Sequence, residues 1–225
     1  YVTTSSSDIE LMYDTWNDQQ LQTVGLRFDN VTIPANSFIT NAYIQFTADG
    51  SYSGNFSMTI WGEDVAIPST YSNTTSNISS RVTTSAMVNW VTIPAWTDGA
   101  AGADQRTPDL SSIVTELISS NGWQNGDPMS FIVIGTGNSS LKRKAYSFDE
   151  DPFKSAKLVI DYTSLSDVDL AVTSINAPSE FNYPDATAQV QVEIYNYGNL
   201  TASAYNVSYE VNGSLVATEP GVTPL

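Results

Sequence analysis

The chain reads as an all-β protein built of sandwiches, and three features predict this. Its β-branched and aromatic residues fall in short alternating stretches, those stretches are bounded by Gly, Pro, Asn or Asp, and Leu-rich helical runs are nearly absent. At 225 residues with 41% hydrophobic content, the chain can bury a core, and its length suits one large or two modest domains.

The strands expected in the first region are Asp8–Tyr13, Leu21–Phe28, Ile39–Thr47, Phe56–Trp61, Ala86–Thr92, Met129–Ile134, Lys144–Phe148 and Ala156–Tyr162. That number suffices for a jelly roll. Met129–Ile134 is nearly continuous in apolar residues and belongs at the centre of a sheet, whereas Tyr43-Ile44-Gln45-Phe46-Thr47 alternates and predicts one face in water. One helix is expected at about Pro108–Ser120. Leu110, Ile113, Val114, Leu117 and Ile118 repeat at helical spacing, Thr107 supplies an N-cap, Pro108 suits the first helical position, and Asn121-Gly122 ends the run. Asp109 reads as a charge favourable to the helix dipole.

A linker at 164–167 divides a jelly-roll module, 1–163, from a second region, 168–225. There Ala188, Val190, Val192 and Ile194 alternate with polar residues, and Val207–Val211 leads through Asn212-Gly213 into Ser214-Leu215-Val216, the signal of a type I′ hairpin. This is the strand pattern of an immunoglobulin-like sandwich, but with about four strands where roughly seven close such a fold. The expected fold class is therefore a jelly-roll β-sandwich with one short amphipathic helix plus a partial immunoglobulin-like β-sandwich. The start at Tyr1 without Met suggests a processed or excised segment.

Charge excludes several functions. A formal net charge of −16 repels nucleic acid and anionic membrane surfaces, and no apolar run approaches the roughly 20 residues needed to cross a bilayer, so neither nucleic-acid binding nor membrane insertion is expected. With no His and no Cys, imidazole and thiolate catalysis and their zinc sites are closed. Carboxylate chemistry would need two acids held about 5–9.5 Å apart across a sugar cleft, and spacing along the chain supplies no such pair. No enzymatic activity is expected.

The runs VGLRFDNVTIPANSFITNAYIQFTADG (24–50), TSNISSRVTTSAMVNWVTIPAW (75–96) and GAAGADQRTPDLSSIVTELI (99–118), then FIVIGTG, KAYSFDEDP and AKLVIDY, resemble the jelly-roll modules of large secreted bacterial and archaeal surface proteins. They are similar to the disaggregatase-related repeats and to the alginate-binding type of carbohydrate-binding module. DVDLAVTSINAP, AQVQVEIYNYGN and YEVNGSLVA resemble the cell-adhesion-related domain of bacterial surface proteins, an immunoglobulin-like spacer. The resemblance implies an extracellular, cell-surface protein whose partner is a polysaccharide or glycoconjugate.

Candidate residues follow. Sugar-binding modules set aromatic faces against pyranose C–H faces; Trp16 in a polar loop and Trp123 past the helix are the expected platforms, while Trp61 and Trp90, inside strands, are expected to pack. Arg27 and Arg81 are candidates to bond sugar hydroxyls or uronate carboxylates, and Arg106 reads as structural. Asp149, Glu150 and Asp151 are candidates for a structural Ca²⁺, with Asp98 and Asp104 as a weaker set; no other cofactor is required. Sequons at Asn30, Asn55, Asn73, Asn77, Asn138, Asn199, Asn206 and Asn212 suit a glycosylated surface.

Residues 165–225 hold seven acids (Asp167, Asp169, Glu180, Asp185, Glu193, Glu210, Glu219) and no Lys or Arg. Five of the eight basic residues lie in Lys142–Lys157. Two functions compete: attachment through glycan binding by the jelly roll, or a structural subunit of an extracellular filament, sheath or surface layer whose partners are copies of itself. The latter would assemble by strand addition and by pairing the basic run Lys142, Arg143 and Lys144 with an acidic face. Against it stands local pairing of that run with Asp149-Glu150-Asp151.

Overall fold

The computed structural model describes residues 2–14, 21–34, 37–119, 122–136, 141–164, 168–178, 189–198, 200–221 and 223–225. The chain divides into two compact units, Tyr1–Thr163 and Ser164–Leu225. No helix among the described residues is long and apolar enough to cross a membrane.

Eight strands run along the first unit: β1 (Asp8–Leu11), β2 (Thr23–Phe28), β3 (Phe38–Gln45), β4 (Ser57–Glu63), β5 (Thr83–Trp90), β6 (Met129–Thr136), β7 (Arg143–Tyr146) and β8 (Lys157–Thr163). A helix, α1 (Ser111–Ser119), lies between β5 and β6. One layer is an antiparallel sheet in the order β2-β6-β4-β5; the other is made of the pairs β3-β8 and β1-β7, tied by a bridge between Ala48 and Ala145. The chain passes between layers from β1 to β2, from β2 to β3 and from β3 to β4, the winding of a jelly roll.

The apolar run MSFIVI sits where continuous burial is possible, since β6 is flanked by β2 and β4 and Ile132 on its outer side is as covered as Phe131 on its inner side. On β3 burial alternates, Ala42 and Ile44 inward and Asn41, Tyr43 and Gln45 outward. Leu26, Met58, Ile60, Phe131 and Val133 from one layer meet Leu11, Ala42, Ile44 and Phe46 from the other. Each such large side chain contributes about 1.5–3 kcal/mol through burial. At one end Phe46 stacks on Trp90 at 6.1 Å between centroids, with Trp96 6.0 Å from Phe46; the Trp96 indole donates to Asp104 O at 2.8 Å and so stays satisfied while buried.

The helix begins later than its periodicity predicts. Thr107 N–H donates to Ile44 O (3.1 Å) and Leu110 N–H to Ala42 O (2.7 Å), so the segment before the helix runs along the edge of β3 as an irregular strand. Thr107 caps nothing; its Oγ1 accepts the Ile44 N–H at 3.0 Å. The turn is closed by Asp109, whose Oδ1 accepts the N–H groups of Ser111 (2.9 Å) and Ala42 (3.0 Å). Ile113, Val114 and Leu117 face the core, and Ile113 lies where a Cβ on Gly62 would stand 2.9 Å from its Cγ2, so glycine there lets helix and sheet touch.

The second unit holds two antiparallel pairs: β9 (Leu170–Ala177) with β10 (Gln191–Asn196), and β11 (Asn206–Val211) with β12 (Ser214–Pro220). Asn212 (φ 52°) and Gly213 (φ 77°) both take positive φ between β11 and β12, as a type I′ turn requires. Ala202 and Leu225 exchange backbone bonds at 2.8 and 3.3 Å, and Asn196 Nδ2 donates to Leu200 O and Leu225 O.

Candidate functional site

The connection from β4 to β5, residues 64–82, folds back over the outer side of the four-stranded sheet. Three side chains fasten it. The Tyr71 ring lies where any Cβ on Gly25 would stand, and its hydroxyl bonds Ser130 Oγ; burial pushes the Tyr71 phenol above its ordinary value. Arg27 Nε donates to Pro68 O at 2.9 Å while Nη1 pairs with Asp29. Arg81 commits its whole guanidinium: Nε to Asn77 O (2.8 Å), Nη1 to Glu63 (2.7 Å) and Ser69 O (2.7 Å), Nη2 to Thr70 O (3.1 Å) and Asn77 Oδ1 (3.2 Å). A guanidinium has five N–H donors, so Arg81 keeps none for a sugar. Arg81, expected on the glycan, thus clasps the loop instead, while Arg27 holds the loop through Nε and Asp29 through Nη1. Arg106 stacks on Tyr43 at 3.9 Å.

The basic run is likewise spent inside the fold. Lys142 pairs with Glu10 at 2.6 Å, and Lys144 pairs with Asp8 and, at 3.3 Å, with Asp49. Burial alone would lower the Lys144 pKa; its two carboxylates more than offset this and hold it above the usual lysine value. Arg143 is 0% exposed and meets no acid: its five donors go to the carbonyls of Pro94, Ser53, Lys142, Gly54 and Ile93 at 2.8–3.4 Å. Burial pushes its pKa down. The local partners are therefore Asp8, Glu10 and Asp49, not Asp149-Glu150-Asp151, because β7 lies beside β1 and brings Lys142 and Lys144 within diagonal reach of Glu10 and Asp8.

At the Asp149–Asp151 turn the carboxylates do not converge. Asp151 Oδ1 accepts the Phe153 N–H (3.0 Å) and its Oδ2 faces Lys154 at 3.5 Å, while Asp149 and Glu150 are exposed. Asp98 Oδ1 accepts the Gly50 N–H at 2.9 Å. Among the described residues no three acidic side chains are grouped so as to hold a metal ion.

Trp123 has a different setting. It is half-buried against the core, its Nε1 donates to Pro128 O (3.3 Å), and it walls a hollow of about 450 Å³ together with Pro34, Ser37, Ile118, Gln124 and Asn125. Ile33 floors the hollow at 1% exposure. The carboxamides of Gln124 and Asn125 are exposed and make no hydrogen bond to another described residue. An aromatic wall, an apolar floor and free amides thus line one hollow.

No protein-family model matches the chain, and neither does any curated protein.

Trp16, Asn138 and Asn199 lie outside the described residues. The sequons at Asn30, Asn55, Asn73, Asn206 and Asn212 are exposed, whereas Asn77 is half-buried with its Oδ1 holding Ser72 N–H and Arg81. Trp90 and Trp96 are core, but Trp61 is not: it projects from the outer side of β4, half-exposed. Position inside a strand says nothing about which face a residue takes; the alternation with buried Met58 and Ile60 on either side of Thr59 was the signal that places Trp61 outward.

Proposed function

We propose that the protein is a non-catalytic, extracellular attachment protein whose first unit holds a polysaccharide or glycoconjugate in the hollow beside Trp123. The observation that carries this is the pairing of the Trp123 wall with the free amides of Gln124 and Asn125 around a volume within the roughly 300–1,000 Å³ range of ordinary small-ligand sites. Pyranose C–H groups match the electron-rich ring face, and the amides offer both donors and acceptors to hydroxyls. Exposed sequons and the resemblance to secreted surface modules support the extracellular setting. Assembly by pairing basic with acidic faces draws no support from Lys142, Arg143 and Lys144, whose partners are internal.

Retention of the chain on a panel of immobilised glycans tests this reading. Binding that is lost in Trp123→Ala, with the far-UV spectrum unchanged, supports it; a wild-type chain that no glycan retains overturns it.

A further inference from the structure

The outer face of the four-stranded sheet carries a second surface. Ladder partners arrange its side chains in rows across the strands: Arg27 and Ser130, with Glu63 on β4 two residues past Trp61; then Gly25, Ile132, Trp61 and Met87; then Thr23, Ile134, Thr59 and Asn89. The 64–82 loop roofs the first row through Arg27, Tyr71 and Arg81, and reaches the second only at Gly25, beneath the Tyr71 ring. Beyond that the face is accessible on its β4–β5 side: Trp61 is half-exposed, Met87 is 53% exposed and Asn89 is exposed, while Ile132 (2%) and Thr59 (5%) are covered. The Trp61 indole N–H has no hydrogen-bond partner among the described residues. Asn89 Oδ1 accepts the Thr59 hydroxyl at 2.9 Å, which orients the carboxamide and leaves its NH₂ pointing away from that bond.

Two properties select the occupant. The open rows contain no charged residue, and the cations nearest to them, Arg27 and Arg81, are paired with Asp29 and Glu63 on a chain of net charge −16, so an acidic polymer gains nothing here. The accessible part of this floor, Trp61, Met87 and Asn89, spans one strand spacing by one two-residue step, about 5 Å by about 7 Å, or on the order of 35 Å². A stable protein interface needs about 800 Å² per partner. One sugar ring of an extended chain, stacking on Trp61 with its hydroxyls on Asn89, fits both size and chemistry.

We propose that this floor is a second glycan-binding surface, for an extended neutral polysaccharide, with Trp61 as its stacking platform and the Tyr71–Arg81 loop as its end wall. It rests on the glycan-binding reading but not on the hollow at Trp123.

Affinity electrophoresis through a neutral β-linked polysaccharide and through polygalacturonate, with wild type, Trp61→Ala, Met87→Glu and Trp123→Ala, tests it. Expected is retention by the neutral polymer that weakens about tenfold in Trp61→Ala and also weakens in Met87→Glu, which adds a charge to the floor without removing a packed group, while Trp123→Ala keeps the Trp61-dependent part. Retention lost only in Trp123→Ala overturns this surface and leaves the hollow standing. Trp61-dependent retention by polygalacturonate equal to that by the neutral polymer overturns the ligand class, and a wild type that no glycan retains overturns both readings.

Discussion

Glu116 on α1 accepts the backbone N–H of Ala86 through one carboxylate oxygen and that of Ser85 through the other, each at 2.7 Å. Both N–H groups belong to β5, the last strand of its sheet, at a bulge where Trp61 faces Met87 but Glu63 faces Thr83. An edge strand with free N–H groups is a template for another chain; here a helix fills those positions with its own carboxylate.

Replacing Glu116 by Ala is expected to cost about 1.5–3 kcal/mol, the range for bonds to a charged acceptor, and to expose the β5 edge. Urea unfolding reads the first effect and concentration-dependent sizing the second. A variant as stable and as monomeric as wild type would show that the contact is incidental.

Arg143 is fully buried with all five donors bonded to backbone carbonyls. Ala at this position leaves five carbonyls around a cavity, and a loss above about 3 kcal/mol is expected at 1–3 kcal/mol for each buried group left unsatisfied. Lys in its place restores charge but not the planar fork and should recover only part. Thermal melting of both variants checks this; near-wild-type melting in either refutes it.

Stability should fall at both ends of the pH scale for separate reasons. Burial raises the Asp109 carboxyl, but its bonds from Ala42 N–H and Ser111 more than reverse this and lower it below the ordinary 3.8. Its stabilising contribution is therefore complete above pH 3.8 and lost as pH falls through the lower folded value. Tyr71 is raised above 10.0, so its contribution is present below pH 10.0 and lost as pH rises through the folded value. Chemical denaturation across pH should show the acid limb flattened in Asp109→Asn and the alkaline limb flattened in Tyr71→Phe. Limbs that do not change would mean these groups titrate alike in both states.

Much of this could be read from residue order alone. Each expected strand of the first region is present, since alternation between turn residues is a local signal, and Asn212-Gly213 turns as its backbone freedom dictates. Periodicity located α1 because its buried stripe, Ile113, Val114 and Leu117, is local too. Its start was not legible: the pairing of Thr107 and Leu110 with β3 lies more than sixty residues away in sequence. The same holds for the cations. Arg27, Arg81, Lys142, Arg143 and Lys144 look alike as letters, and only packing assigned each one its partners. Residue order determines propensity and face alternation, because those depend on neighbours two to four positions apart. How much of the outward-facing Trp61 stays uncovered, and which donors remain free for a ligand, depends on segments brought together from distant parts of the chain, and the tertiary structure alone decides it.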